Sequence, residues 1–239
     1  MLSSGKDYRK LYKLQDNFLN WWVTLNLPFY LTGGTALGRY YLGHRYSEDL
    51  DFFVNADPNY KDYIFTLNKE IKKSFNVNNE QSLYSDDFTR LFIKIEEGFL
   101  KIEFVNEVPY RAGVPVQMSF GLLDTPLNIL SNKLTAMISR DEPKDLYDII
   151  HIALNYSFKW TDVFNDAKNK AVLNEIDIEE RLSTFPVHLF QAVDWIMPPL
   201  DTDHLAAALK KVADDFLLGQ ENSLGSGKPA LEKALPKFF

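Results

Sequence analysis

Gly33-Gly34-Thr35-Ala36-Leu37, followed by His44-Arg45-Tyr46-Ser47-Glu48-Asp49-Leu50-Asp51-Phe52-Phe53, is a small-residue turn, a short helix and then an acidic strand. Successive strand side chains point to opposite faces, so Asp49 and Asp51 share one face while Leu50, Phe52 and Val54 share the other, the core face. Two carboxylates side by side on a rigid strand repel each other unless a cation sits with them. A hard, oxygen-loving divalent ion meets that need most economically: Mg²⁺, with Mn²⁺ as the alternative. The glycines let backbone N–H groups approach an anion, and a helix beginning at Thr35 adds its positive dipole end. A phosphate site beside a metal site points to phosphoryl or nucleotidyl transfer.

Outward from this stretch, Phe29-Tyr30-Leu31-Thr32 reads as a strand delivering Gly33, and Thr35–Leu42 as the helix behind the turn. Upstream, Tyr8, Leu11, Leu14, Phe18, Leu19, Trp21, Trp22 and Leu25 mostly recur at helical spacing, which predicts a long amphipathic helix over about residues 5–26 with both tryptophans in the core. Downstream, Asp57 as N-cap and Pro58 at the first helical position predict a helix through about Lys73. A weak strand over 76–84 follows. Thr89–Glu96 and Phe99–Asn106 then form a hairpin around Glu97-Gly98. In its second strand Leu100, Ile102 and Phe104 take the core face, so Lys101, Glu103 and Val105 take the other, the side to which Asp49 and Asp51 project.

Val114-Pro115-Val116 and Leu122–Pro126 read as connecting segments that close a first domain, residues 1–125. Pro126 opens a helix carrying Lys133, Arg140-Asp141-Glu142-Pro143 breaks it, and Lys144–Leu154 resumes it. Asp145 and Asp148 lie at i and i+3 on one helix face, a like-charge pair that needs compensation from Lys133, Arg140, Arg45 or a metal. The remainder, to residue 239, reads as helical over about 160–172, 177–181, 186–196 and 202–218, with Asp201-Thr202-Asp203 capping the last. The fold class is therefore α+β, a small mixed sheet flanked by helices followed by a helical domain over 126–239.

The 239 residues, 46% hydrophobic, supply a sizeable core. The absence of cysteine excludes a disulfide framework and a thiolate metal site. No apolar run approaches the roughly 20 residues that cross a bilayer, and the polar, lysine-rich start lacks a signal-type apolar block, so the expectation is a cytoplasmic protein without membrane association. A net charge of −7 argues against a globally basic nucleic-acid binder but leaves room for a local basic track, such as Lys6, Arg9, Lys10 and Lys13, or Lys69, Lys72 and Lys73.

The Gly-Gly-Thr turn, the helix and Ser47-Glu48-Asp49-Leu50-Asp51 resemble the opening of the DNA-polymerase-β-like nucleotidyltransferase superfamily. Within it, Gly33-Gly34-Thr35-Ala36-Leu37 and His44-Arg45-x-Ser47-x-Asp49-Leu50-Asp51-Phe52-Phe53 are similar to the AbiEii/AbiGii toxin family. The resemblance is clear over about residues 29–150. It implies a polymerase-β-like nucleotidyltransferase domain. It also implies that Asp49 and Asp51 are catalytic metal ligands and Glu103 the third carboxylate, a Glu where the wider superfamily commonly has Asp. Lys133, Arg140 and Lys144-Asp145-x-x-Asp148 match a further family segment, in which Lys133 contacts the triphosphate and Asp148 is an active-site acid. Gly33, Gly34, Thr35, Arg45 and Lys133 would bind the nucleotide. The implied function is NMP transfer from an NTP to an acceptor hydroxyl, tRNA by analogy with related toxins, in a toxin–antitoxin or abortive-infection system with a cognate antitoxin. The alternatives are transfer to a small molecule or a protein, a nucleotide-binding module without turnover, and a structural partner in an immunity complex.

Overall fold

The structure, a computed structural model, describes residues 7–95, 98–197 and 199–237. Lys6, Glu96 and Glu97 of the expected hairpin, and Pro198 lie outside the described residues. The chain forms two compact units. One comprises Met1–Ala36, Ser47–Pro109 and Pro115–Asp124, the other Leu37–Tyr46, Tyr110–Val114 and Thr125–Phe239.

The first unit is built on a mixed sheet. Its strands are β1 (Tyr30–Thr32), β2 (Leu50–Asn55), β3 (Leu83–Tyr84), β4 (Phe88–Ile95), β5 (Gly98–Glu107), β6 (Val116–Met118) and β7 (Gly121–Leu123), in the order β3-β4-β5-β2-β1-β7-β6. β1 is antiparallel to β2 and parallel to β7; β2 is parallel to β5. Two helices supply its apolar cover, α1 (Tyr8–Trp22) and, after the short α2 (Gly33–Leu37), α3 (Tyr60–Ser74). The Asp7 carboxylate caps α1 by accepting from the Arg9 and Lys10 amides. α1 buries Tyr8, Gln15, Phe18, Leu19 and Trp22, one helical stripe. Trp22 lies with its ring centroid 4.6 Å from that of Phe52 and 5.4 Å from that of Phe104, on the sheet face where Leu50, Phe52, Val54, Ile102 and Phe104 are all buried. Truncating such a ring costs about 3–5 kcal/mol. The burial alternation of β2 is the one its sequence predicts.

Three local expectations change. The first turn of α3 begins at Tyr60, because the Asp57 carboxylate accepts the Asn59 amide in an Asx turn and so draws Pro58 into the turn rather than the helix. The weak strand over 76–84 reduces to Leu83–Tyr84, both exposed, with Val77 forming an isolated bridge to Ile93. The segments around Val116 and Leu122 are strands, β6 and β7, that complete the sheet beyond β1; three residues each are too few to show a period in sequence.

In the second unit, α2 passes into a π-helical turn, Gly38–Leu42, which closes on Gly43. Gly43 has φ +61°, where a side chain would be strained, and its amide donates to the Gly38 carbonyl at 2.9 Å. That C-cap releases the chain at His44-Arg45. The unit's helices are α4 (Pro126–Ser139), α5 (Pro143–Asn155), α6 (Trp160–Lys168), α7 (Glu175–Thr184) and α8 (Thr202–Leu217). Thr125 caps α4; Pro126 in its first turn and Asp201 capping α8 by accepting the His204 amide are as read from sequence. Leu134, Ile149, Ile150, Trp160 and Val212 are fully buried in its core. The 186–196 helix is instead a 3-10 segment, Val187–Ala192, between prolines.

Candidate functional site

The first unit assembles the strand carboxylates by register. Thr32 of β1 stands opposite Asp51 of β2, Asp51 opposite Glu103 of β5, and Glu103 opposite Arg90 of β4. Residues at matched positions of neighbouring strands project to one face, so Thr32, Asp51, Glu103 and Arg90 form a polar row across the sheet. Asp49 and Lys101, each two residues earlier, fall on the same face. Thr32 is itself held by a hydrogen bond from its hydroxyl to the buried carboxylate of Asp124, 2.5 Å.

The glycine turn lies against this row. Gly33 has φ +69°, and a Cβ placed on it would sit 2.5 Å from Asp51 Oδ2. Only a residue without a side chain lets the turn come this near the carboxylate. The Thr35 hydroxyl points inward: Thr35 is fully buried and donates to the main-chain carbonyl of Asp49. Thr35, which the resemblance assigns to nucleotide binding, uses its hydroxyl to tie the turn to the residue just ahead of β2. Gly33→Ala combines a left-handed backbone penalty of about 1–2 kcal/mol with a displaced Asp51 carboxylate. A misplacement near 1 Å costs about 10²-fold in rate. Steady-state kinetics beside thermal melting will show activity falling far more than stability.

Lys101 sits among the acids. Its ammonium is 2.8 Å from Asp49 Oδ2 and 3.3 Å from Glu103 Oε1, and Arg90 Nε donates to Glu103 Oε1 at 2.6 Å. Burial pulls the Lys101 pKa down, but the hydrogen bond and charge of Asp49, then the charges of Glu103 and Asp51, outweigh it and leave it raised. Among the described residues no group of three Asp, Glu or His side chains is arranged to hold a metal ion. Lys101 and Arg90 hold Asp49 and Glu103 in ion pairs. The donor chemistry still fits a hard divalent ion: Asp49 and Asp51 offer carboxylate oxygens from one strand face, with Glu103 alongside.

The remaining predicted residues meet in the second unit. Arg45 grips Asp148 with two bonds, Nε to Oδ1 at 2.6 Å and Nη2 to Oδ2 at 2.7 Å. Lys133 Nζ lies 2.6 Å from Asp145 Oδ1 and 2.7 Å from Asp148 Oδ2, and Arg140 Nε is 2.8 Å from Asp145 Oδ2. Arg45, Lys133, Asp145 and Asp148 are all buried. The like-charge pair on α5 is compensated by the three cations its sequence offers. Burial alone would raise Asp148, but Arg45 and Lys133, with hydrogen bonds from Arg45 and His44, hold it well below the ordinary carboxylate range. His44 Nε2 meets Asp148 Oδ1 at 2.7 Å while its Nδ1 has no partner among the described residues. This fits a neutral ring that donates from Nε2, and burial lowers its pKa. His151, whose ring centroid is 4.9 Å from that of His44, is pushed down to about 3 by burial first.

Sequence reasoning misses Lys101 and gives His44 no role of its own. The signal for Lys101 is present, since strand alternation already places it beside Glu103. None exists for the His44–Asp148 bond, which joins residues 104 apart along the chain.

Comparison with known proteins agrees with this fold. Residues 20–235 match the family described as nucleotidyl transferase AbiEii toxin, type IV TA system. An uncharacterized protein of Aquifex aeolicus, aq_aa25, is 31% identical over 144 residues, 59% of this chain and 66% of that one. The chain therefore spans just under two thirds of that relative's length. Among solved structures, JHP933 of Helicobacter pylori superposes with a TM-score of 0.57 at 21% identity, covering 90% of this chain and 94% of that one. MenT4, a nucleotidyltransferase toxin of Mycobacterium tuberculosis H37Rv, gives 0.54 at 15% identity, covering 97% and 88%. At these identities the two structures speak to the fold alone. With nearly the whole chain matched by one family, and the acidic strand and glycine turn lying inside the match, the chain belongs to the AbiEii nucleotidyltransferase toxin family of type IV toxin–antitoxin systems.

Proposed function

We propose that the protein is a metal-dependent nucleotidyltransferase that moves an NMP from an NTP to an acceptor hydroxyl, with tRNA as acceptor, and that it acts in the cytoplasm as a toxin restrained by a cognate antitoxin. The observation that carries this reading is the in-register carboxylate row, Asp51 opposite Glu103 with Asp49 on the same face, directly beside the Gly33 turn. Asp49 and Asp51 would hold the Mg²⁺, with Glu103 next to them; a bound divalent ion neutralises charge on phosphoryl oxygens. The backbone amides of Gly33 and Gly34 bind the phosphates, and Thr35 fixes the turn that presents them. The acceptor oxygen attacks the α-phosphorus, the α–β bridging P–O bond breaks, and pyrophosphate leaves. Glu103 accepts the hydroxyl proton. The resemblance gives Lys133 a triphosphate contact and Asp148 the role of an active-site acid, and both roles are part of the proposal. Arg45, clasped to Asp148, serves by holding that acid in place. No helix among the described residues is long and apolar enough to cross a membrane.

The test is to incubate the protein with Mg²⁺, each α-labelled NTP in turn, and total tRNA, with and without chelator. Metal-dependent label on RNA supports the full reading and identifies the nucleotide. Pyrophosphate release without labelled RNA keeps the chemistry and rejects the tRNA acceptor. Tight nucleotide binding with no turnover of any NTP rejects the enzyme in favour of a binding module.

A further inference from the structure

We infer that Lys101 is a built-in counter-ion of the carboxylate row that an incoming divalent ion displaces, so that this one side chain sets how weakly the site holds metal on its own. The inference rests on the metal reading proposed above and adds a residue and a binding order to it. Lys101 sits on β5 two residues before Glu103, a position that the strand register fixes beside Asp49. Its ammonium touches Asp49 Oδ2 and Glu103 Oε1 at 2.8 and 3.3 Å, the oxygens a hard cation would use. The charge count points the same way. Among the described residues Lys101 and Arg90 pair with Asp49 and Glu103, so part of the field that would attract a divalent ion is already cancelled.

The two cations differ in what they can yield. Arg90 presents a planar guanidinium that pairs with Glu103 and lies over the Phe88 ring, whereas Lys101 is a point charge on a flexible four-carbon stem. Lys101 can therefore swing off Asp49 while Arg90 stays. Once displaced, the ammonium needs another anion, and the phosphates of a nucleotide are the chemistry that suits it. Metal alone must break the Lys101–Asp49 pair without replacing it. Metal arriving with a nucleotide gives the lysine a new partner, so the two ligands bind with positive coupling.

The experiment measures Mn²⁺ binding to the purified protein from the free-ion electron paramagnetic resonance signal, with no turnover required. Lys101→Met is expected to bind Mn²⁺ about tenfold more tightly than the parent, the effect of roughly 1.4 kcal/mol of relieved competition. Lys101→Arg, which keeps the charge, is expected to stay near the parent value. A non-transferable NTP analogue is expected to tighten Mn²⁺ binding in the parent more than in Lys101→Met. Circular dichroism establishes that each variant is folded. Equal or weaker binding by folded Lys101→Met, while Asp49→Asn loses Mn²⁺, overturns the role of Lys101 and leaves the metal reading standing. Undiminished Mn²⁺ binding by the Asp49→Asn/Asp51→Asn double variant overturns the metal reading itself and this inference with it. If Lys101→Met fails to fold, Lys101→Gln replaces it, with the same tightening expected and the same failure decisive.

Discussion

Asp51→Asn is expected to lower kcat/KM for nucleotidyl transfer by about 10³-fold or more and to leave the melting temperature within about 3 °C of the parent. Asp51 is the centre of the polar row, with Thr32 on one side and Glu103 on the other. Its carboxylate is also the group that the Gly33 turn approaches most closely. Asparagine has the same shape and keeps one oxygen, but it removes the charge from the ligand pair. A metal that neutralises transition-state charge contributes several kcal/mol, and each 1.36 kcal/mol is a factor of ten in rate. Stability responds differently, because the substitution removes one of three like charges gathered on a single sheet face. Asp49→Asn should act in the same direction on rate. It also strips Lys101 of its nearer anion, at 2.8 Å, so a small stability change accompanies it. Single-turnover transfer with labelled NTP beside calorimetric melting separates the two effects. An Asp51→Asn protein that keeps its activity would sink the proposed chemistry, and one that loses activity only by unfolding would reduce Asp51 to a structural residue.

How much of the site is legible in the sequence follows from the range of each interaction. Alternation within a strand is local, so Asp49, Asp51, Lys101 and Glu103 are assigned to their faces by sequence alone. The opposition of Asp51 and Glu103 needs one further assumption, that their strands pair, and β2 does pair with β5 in that register. The spacing of Asp145 and Asp148 on one helix face likewise announces a need for cations, and Lys133, Arg140 and Arg45 meet it. What local pattern does not give is the choice among partners. Thr35 reads as a phosphate-facing hydroxyl beside two glycines, yet the Asp49 carbonyl, an obligatory acceptor just ahead of β2, takes it. Arg45 reads as a cation for nucleotide or acceptor, yet it is buried against an acid 103 residues away. Strands β6 and β7, three residues each, carry no period for a sequence to display.

The second large effect belongs to that buried cluster. Asp148→Ala is expected to destabilise the protein by about 3–5 kcal/mol, the range for breaking a buried ion pair. The corresponding fall in melting temperature is about 6–20 °C at this chain length. Arg45 and Lys133 are balanced by Asp145 and Asp148, all of them buried. Removing Asp148 leaves two buried cations with one acid, and His44 loses its acceptor. Set against a typical stability of about 5–15 kcal/mol, that loss is a large share of the whole. Removing a cation as well, in Asp148→Ala/Lys133→Met, should destabilise less than the sum of the single changes, because the second change relieves the excess charge. The pH dependence gives an independent measure of the same cluster. The folded pKa of Asp148 lies well below the ordinary 3.8, so the unfolded chain takes up this proton first. Its contribution is complete above that value and is lost as pH falls through the folded one. His151, about 3 when folded against 6.5 when free, is the histidine counterpart: the unfolded chain protonates first, so stability declines from about pH 6.5 downward. His44, also lowered, adds to that first decline. Melting temperature should therefore fall in two stages on acidification. His151→Phe should shrink the first stage, and Asp148→Ala, already destabilised at neutral pH, should show a smaller second stage, the part that remains coming from Asp145, whose pKa burial would raise but Lys133 and Arg140 also hold down. A parent whose melting temperature is flat from pH 7 to pH 4, or an Asp148→Ala protein as stable as the parent at pH 7, would show that this cluster does not hold the second unit together.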